Sequence, residues 1–198
     1  MQIDNINIYN LEQAIVASGL PMLPEHNAKE FHDNADIVSL LEMDNPHIKR
    51  ARRLADNPAG SGHNNFLSGI LVSMNVTATN VWWMQLERYH FVQIVSSQSK
   101  MHRLKEMLKS ENVTSHFNEK TSMYVAGDYI VNAQKEDIAE EELVYSCPMG
   151  LELTAHITTN YLQLKTIYNQ RKNHKLEEWR SFCRTIETLP MAKEFITK

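Results

Sequence analysis

Residues 70–80 constrain the fold more than any other stretch. Ile70, Val72, Met74, Val76 and Ala78 alternate with Leu71, Ser73, Asn75 and Thr77. A period of two, rich in β-branched residues, predicts a strand with one buried face. Thr79-Asn80 can then cap a helix, and Val81 to Val95 carries a helical pattern. The order returns later. Leu151, Leu153, Ala155 and Ile157 alternate with Glu152, Thr154, His156 and Thr158, and Thr159-Asn160 leads into a helix from Tyr161 to Lys172. Thr and Asn are common caps, so the echo does not argue for duplication. Two strands that each feed a long helix predict an α+β domain, an antiparallel or mixed sheet packed with long helices.

The remaining elements are read from pattern. Ile3, Ile6, Ile8 and Tyr9 suggest a first strand, and Leu11 to Ser18 a short helix stopped by Gly19 and Pro21. Residues 21–34 read as loop, so residues 1–35 form an N-terminal strand and loop region. Asp36 to Leu54 reads as two helical pieces divided by Pro46. Asn57 to Asn64 is a loop. Ser96 to Ser99 breaks the helix after Val95, and Lys100 to Lys109 resumes as a basic one. Ile130 to Val144 has a helical pattern, and Pro148-Met149-Gly150 is a turn. Lys175 to Leu189 is a final amphipathic helix, with Leu176, Trp179, Phe182, Cys183 and Ile186 on one stripe. The length of 198 residues suits one domain over 1–198.

Composition narrows the partners. The net charge of −4 opposes a duplex nucleic acid partner, which requires a basic surface. It leaves room for a small anion held by a few placed cations. Six glycines and no Walker or GxGxxG pattern disfavour a Gly-rich phosphate loop. Cys147 and Cys183 form no CxxC, so neither a disulfide scaffold nor structural zinc is expected. The nine histidines show no HxH, HxxxH or HExxH spacing, so no metal is expected. No secretory signal and no membrane-length apolar run is seen, and the expected setting is the cytoplasm.

Two polar clusters stand out. The first holds Gln85, Arg88, Tyr89, His90 and Gln93, then Ser96, Ser97, Gln98, Ser99, Lys100, His102 and Arg103. Gln85, Arg88 and Tyr89 would share one helix face. Serine hydroxyls opening onto a basic helix make a phosphate cradle, and they equally describe a solvated face with a capped turn. The second cluster holds Asn160, Gln163, Lys165, Thr166 and Arg171 to His174. Asn160 suits a cap, and Arg171 suits the end of a helix dipole. Cys147 lacks a nearby His in sequence and reads as a small hydrophobe rather than a nucleophile. Trp82 and Trp83 read as core or subunit-interface anchors.

The collinear order of these pieces resembles the flavin-dependent thymidylate synthases. His63 sits in the loop Gly60-Ser61-Gly62-His63, after Arg50-Ala51-Arg52-Arg53. Gln85 precedes the triplet Arg88-Tyr89-His90 by three residues. Seven residues, Phe91 to Ser97, then lead to Gln98, with Lys100 where the family has a phosphate-binding Arg. Pro148, the second strand, Asn160 and Arg171 complete a match over about residues 48–190. The triplet departs from the family's Arg-His-Arg. Leu162 replaces an Arg, Thr166 an Asn, and Val144 falls near a further Arg.

The resemblance implies a ThyX-like fold and a methyltransferase. It would convert dUMP to dTMP with FAD as cofactor, and with NADPH and methylenetetrahydrofolate as co-substrates. It implies Arg171 and Arg88 as catalytic residues. Gln85, Arg88, Ser97, Gln98, Ser99, Lys100 and Arg171 would bind the nucleotide. His63, Tyr89, His90, Ser96, Asn160 and Thr166 would bind the flavin. Family members are homotetramers with shared sites, so a homotetramer is expected. The departures leave two alternatives open. One is a related pyrimidine-nucleotide enzyme, for example a hydroxymethylase. The other is a non-catalytic nucleotide-binding protein on the same fold.

Overall fold

Strand β1 spans Gln2–Tyr9, and its sequence carries an irregularity that the fold resolves. The step from Ile3 to Ile6 breaks the period of two. Asn5 adopts a left-handed φ of 50° at that point. Such a residue reverses the facing of the side chains beyond it, so Ile3, Ile6 and Ile8 are all half-buried while their neighbours are exposed.

The computed structural model describes residues 1–23, 45–58, 60–135 and 137–198. Most of the loop expected over 21–34, and the helical piece expected from Asp36 through Ile37, Leu40, Leu41 and Met43, lie outside the described residues. Strands β2 (Leu71–Thr79), β3 (Gln93–Ser97) and β4 (Glu152–Asn160) join β1 in one antiparallel sheet of order β1-β2-β4-β3. The β2–β4 register is held at both ends. Asn80 N–H donates to the Leu151 carbonyl and Tyr161 N–H to the Ile70 carbonyl, each at 3.0 Å. Between them Thr77 meets Thr154 at 2.7 Å and Asn75 meets His156 Nδ1 at 2.8 Å. Val72, Met74, Val76 and Ala78 are buried on the opposite face, as the alternation predicts.

The described residues fold as two units. The first comprises Met1–Asn5 and Met74–Ile157. It holds helices α3 (Asn80–Leu86), α4 (Lys100–Met107), α5 (Met123–Ala133) and α6 (Glu140–Tyr145). Its core gathers Leu104, Leu108, Phe117, Tyr129, Leu143 and Leu151. Trp82 and Trp83 are buried here, so they are core anchors and not exposed interface residues. The Trp83 indole donates to the Ala78 and Leu153 carbonyls, both at 3.1 Å.

Two helices differ from expectation in this unit. The helix expected over Val81 to Val95 stops at Leu86, and Gln93–Ser97 is strand β3. Pairing with β4 overrides helical propensity for the β-branched Ile94 and Val95. The helix expected over Ile130 to Val144 is two. α5 starts earlier, at Met123, and α6 opens on Glu140, Glu141 and Glu142, where carboxylates suit a helix N-terminus.

The second unit comprises Ile6–Ser73 and Thr158–Lys198. It holds α1 (Leu11–Ala17), α2 (Pro46–Ala55), α7 (Tyr161–Arg171), α8 (Glu177–Glu187) and α9 (Ala192–Phe195). The α8 stripe is as expected: Trp179, Phe182, Cys183 and Ile186 are buried. Each such side chain contributes roughly 1.5–3 kcal/mol on burial.

That burial gives the chain an alkaline limit. Burial pushes the Cys183 thiol up to about 11 from 9.0, and the Glu187 charge acts the same way. Burial and the Glu187 hydrogen bond push Tyr168 up to about 12. A raised value means that the unfolded chain loses its proton first. The contribution is complete below the unfolded value and is lost as pH rises toward the folded one. Stability should fall from about pH 9 to 11, by roughly 3 kcal/mol for Cys183. Urea midpoints across pH 7 to 11 check this, and Cys183→Ala should remove the first part of the fall.

Candidate functional site

In the first unit the candidate residues surround the start of α4. Ser99 caps that helix, its Oγ accepting from His102 N–H at 3.3 Å. Gln98 extends the pairing of β3 with β4. Its N–H donates to the Thr154 carbonyl at 3.0 Å, and its Oε1 accepts from Thr154 N–H at 2.8 Å. Both side chains therefore help to fix the backbone at this point. Ser96 and Ser97, expected in a loop, are the exposed end of β3.

Lys100 comes directly after the Ser99 cap, and its Nζ donates to Asn80 Oδ1 at 3.2 Å. An ammonium has three donors, so two remain for a ligand. Lys100 also opens α4, and ammonium donors beside the first turn of a helix are of the kind that anions take. The shared helix face expected for Gln85, Arg88 and Tyr89 is not formed. α3 ends at Leu86, and Tyr89 N–H turns back to the Leu86 carbonyl at 2.9 Å. Arg88 and His90 are exposed, while Gln85 and Tyr89 are half-buried.

Beside Lys100 lies Cys147. Burial pushes its thiol up, against the Tyr129 hydroxyl, the Lys100 charge and the Asn80 amide. Burial wins, so the thiol stays protonated at neutral pH and is a poor nucleophile. Cys147→Ala should leave turnover within about twofold, whereas covalent catalysis would make it fall by orders of magnitude.

In the second unit His63 is exposed on a loop that the sequence shapes closely. Gly60 and Gly62 have φ of 85° and 79°, a region that glycine enters without strain. The buried Asn64 closes the loop, its Nδ2 donating to the Asn57 carbonyl at 2.9 Å. His63 lines a cleft of about 980 Å³ with Arg50, Arg53, Phe66, Asn65 and Met22. Asn160, Thr166 and Arg171 do not line it.

Arg50 is an anchor of this cleft. It donates to the Ile15 and Val16 carbonyls and to Ser18 Oγ, each at 3.2 Å, tying α2 to the end of α1. A Cβ on Gly19 would stand 2.7 Å from the Arg50 Cζ, so a larger residue there would make the guanidinium shift. Burial, then the Arg53 charge, lowers Arg50 from its usual value.

α7 carries the other candidates. Asn160 Oδ1 accepts from Gln163 N–H at 2.9 Å, the expected cap. The Thr166 hydroxyl donates to the Leu162 carbonyl at 3.1 Å. Arg171 stacks on Trp179, with Cζ 4.7 Å from the ring centroid. A guanidinium over an aromatic face is attracted to the ring and gains a defined seat there. The His174 ring meets the edge of Trp179 at 6.4 Å. Burial, then Arg171 and Arg180, pushes His174 below its usual value, so it stays neutral beside Arg171.

Solved structures share this arrangement of elements. Two crystal structures of Helicobacter pylori ThyX, both with FAD and dUMP, match at 14% identity with TM-scores of 0.72 and 0.73. They cover 98% and 100% of this chain, and 98% and 97% of their own. The fold is that of the flavin-dependent thymidylate synthases. The UMP/dUMP methylase PolB of Streptomyces cacaoi, bound with 5-Br dUMP, also matches. Its TM-score is 0.63 at 14% identity, over 94% of this chain and 89% of that one. No family model and no curated protein matches the sequence. The ThyX-like fold thus persists here under a strongly diverged sequence.

On this ThyX-like fold the candidates fall in two groups. Gln85, Arg88, Tyr89, His90 and Ser96 to Lys100 belong to the first unit. His63, Asn160, Thr166 and Arg171 belong to the second. Sequence reasoning gave no supporting role to Asn80, which meets Lys100, to Asn64, which closes the His63 loop, or to Trp179, which meets Arg171. Only the flanking glycines of His63 signalled such support. Among the described residues no His, Cys, Asp and Glu group could hold a metal, and no helix is long and apolar enough to cross a membrane.

Proposed function

We propose that this chain methylates dUMP to dTMP, with FAD as cofactor, methylenetetrahydrofolate as carbon donor and NADPH as reductant. The observation that carries the reading is the match over the whole chain to ThyX structures holding FAD and dUMP. Gln85, Arg88, Lys100 and Arg171, in the family's order, support it. Residues 1–198 would act as one catalytic domain.

Lys100, Ser97 and the first-turn N–H groups of α4 would take the dianionic phosphate, on a backbone fixed by Gln98 and Ser99. Gln85 and Arg88 would line the nucleotide. Arg171, with Arg88, would stabilise negative charge on the pyrimidine, because a guanidinium stays charged and hydrogen-bonds in a plane. His63, Tyr89, His90, Ser96, Asn160 and Thr166 would hold the flavin. Of these only His63 lines the cleft of the second unit, where Phe66 suits a planar ring and Arg53 suits a diphosphate. FAD, when bound, supplies the hydride.

A homotetramer accords with Phe91, Met84 and Val95, which are 70%, 59% and 58% exposed in the first unit. Light scattering tests it. The two free cysteines accord with a reducing compartment such as the cytoplasm.

Incubation with dUMP, FAD, NADPH and methylenetetrahydrofolate should yield dTMP, and omission of the folate should abolish it. PolB favours a second reading, modification of a related nucleotide such as UMP. The mass of the product separates the two, and also reveals a hydroxymethyl product.

A further inference from the structure

Asn80 does something that its place in the sequence does not require. In the second strand-to-helix junction the Asn of Thr-Asn is the cap. In the first, Thr79 is the cap, accepting from Trp82 N–H at 3.3 Å. The Asn80 side chain is therefore not used for capping. It is nevertheless buried, only 8% exposed, and it has polar partners at both ends.

The amide Nδ2 donates to the Pro148 carbonyl at 3.2 Å and to Cys147 Sγ at 3.4 Å. The Oδ1 accepts from Lys100 Nζ at 3.2 Å. Only this orientation works. Flipped, the amide would set NH₂ against an ammonium and oxygen against a carbonyl. The backbone is fixed as well, since Asn80 N–H donates to the Leu151 carbonyl at 3.0 Å. A buried, doubly anchored carbonyl oxygen thus faces the Lys100 ammonium. Lys has a flexible stem, and holding its charge in one place otherwise costs rotamer entropy on every binding event.

We infer that Asn80 is a positioning residue, which holds the Lys100 ammonium ready for the phosphate of the nucleotide. The inference rests on the proposed nucleotide site. Asn80 itself stays neutral, so it orients the cation without cancelling its charge.

The test compares dUMP with deoxyuridine, which lacks the phosphate. The ratio of their dissociation constants isolates what the phosphate contributes. The unaltered chain should prefer dUMP strongly, and Lys100→Met should lose most of that preference. Asn80→Leu should lower the ratio by about tenfold, the scale of one hydrogen bond to a charged group, and leave deoxyuridine affinity unchanged. Asn80→Asp, which keeps the acceptor but adds a charge, should lower it at least as far. Adding Asn80→Leu to Lys100→Met should have no further effect on the ratio. Urea midpoints identify a variant that simply fails to fold, and Asn80→Asp then carries the comparison. A wild-type ratio in both Asn80 variants, with loss only in Lys100→Met, would overturn the inference and spare the nucleotide site. No preference for dUMP in the unaltered chain would overturn both.

Discussion

Arg171→Ala should weaken dUMP binding by about a hundredfold or more, while the protein still folds. The guanidinium is the planar donor of α7, and losing a charge-assisted, two-point contact to a ligand costs about 2–5 kcal/mol. The structural cost is smaller. The residue ends α7, and its stack on Trp179 is worth about 1 kcal/mol, as is its interaction with the helix dipole. Arg171→Lys should not rescue binding, because an ammonium has neither the fork nor the flat face. Titration calorimetry with dUMP reads the first effect and a urea midpoint the second. Unchanged dUMP affinity in a folded Arg171→Ala would contradict the assignment.

Trp179→Ala should have the largest effect on stability. Trp179 is fully buried and packs edge-on against Phe182, with centroids 6.0 Å apart. Truncating it removes about 3–5 kcal/mol, a large part of what a domain possesses. Arg171 loses its platform in the same step. Trp179→Phe separates the two consequences. It keeps an apolar ring and should cost about 1–3 kcal/mol, within the usual range for a core change. With a ring still under Arg171, dUMP affinity should stay within several-fold. A Trp179→Ala that melts like the unaltered chain would contradict the packing described for the second unit.

The sequence was most legible where one local rule decided the outcome. The alternation of β2 and β4, the Asn160 cap and the α8 stripe all depend on neighbours within a few residues. Strand β3 was not legible. Gln93 to Ser97 can continue a helix, and only its pairing with β4, 56 residues on at Gln98 and Thr154, makes it a strand. The same long-range pairing ended α3 and removed the helix face expected for Gln85, Arg88 and Tyr89.

The candidate site shows the same division. Residue types and order indicated which side chains to consider. They could not reveal which of those were occupied by structure. Gln98 and Ser99 look identical in kind to ligand-binding residues, yet each satisfies a backbone group. Asn80 lies 20 residues from the Lys100 that it meets, and Trp179 reads in the sequence as a core residue with no sign of a cation on its ring. The small net charge of −4 also takes on a sharper meaning. Two of the few cations, Lys100 and Arg171, meet neutral groups, an amide and an indole, and a few such cations suit a mononucleotide better than a polyanion.

A chain that acts as proposed carries a flavin and a pyrimidine nucleotide together on this ThyX-like fold. The visible absorbance of the protein as purified, and again after addition of FAD and gel filtration, tests it most directly. Flavin bands should travel with the protein and shift when dUMP is added. A colourless protein that takes up no FAD, with or without dUMP, would contradict the claim.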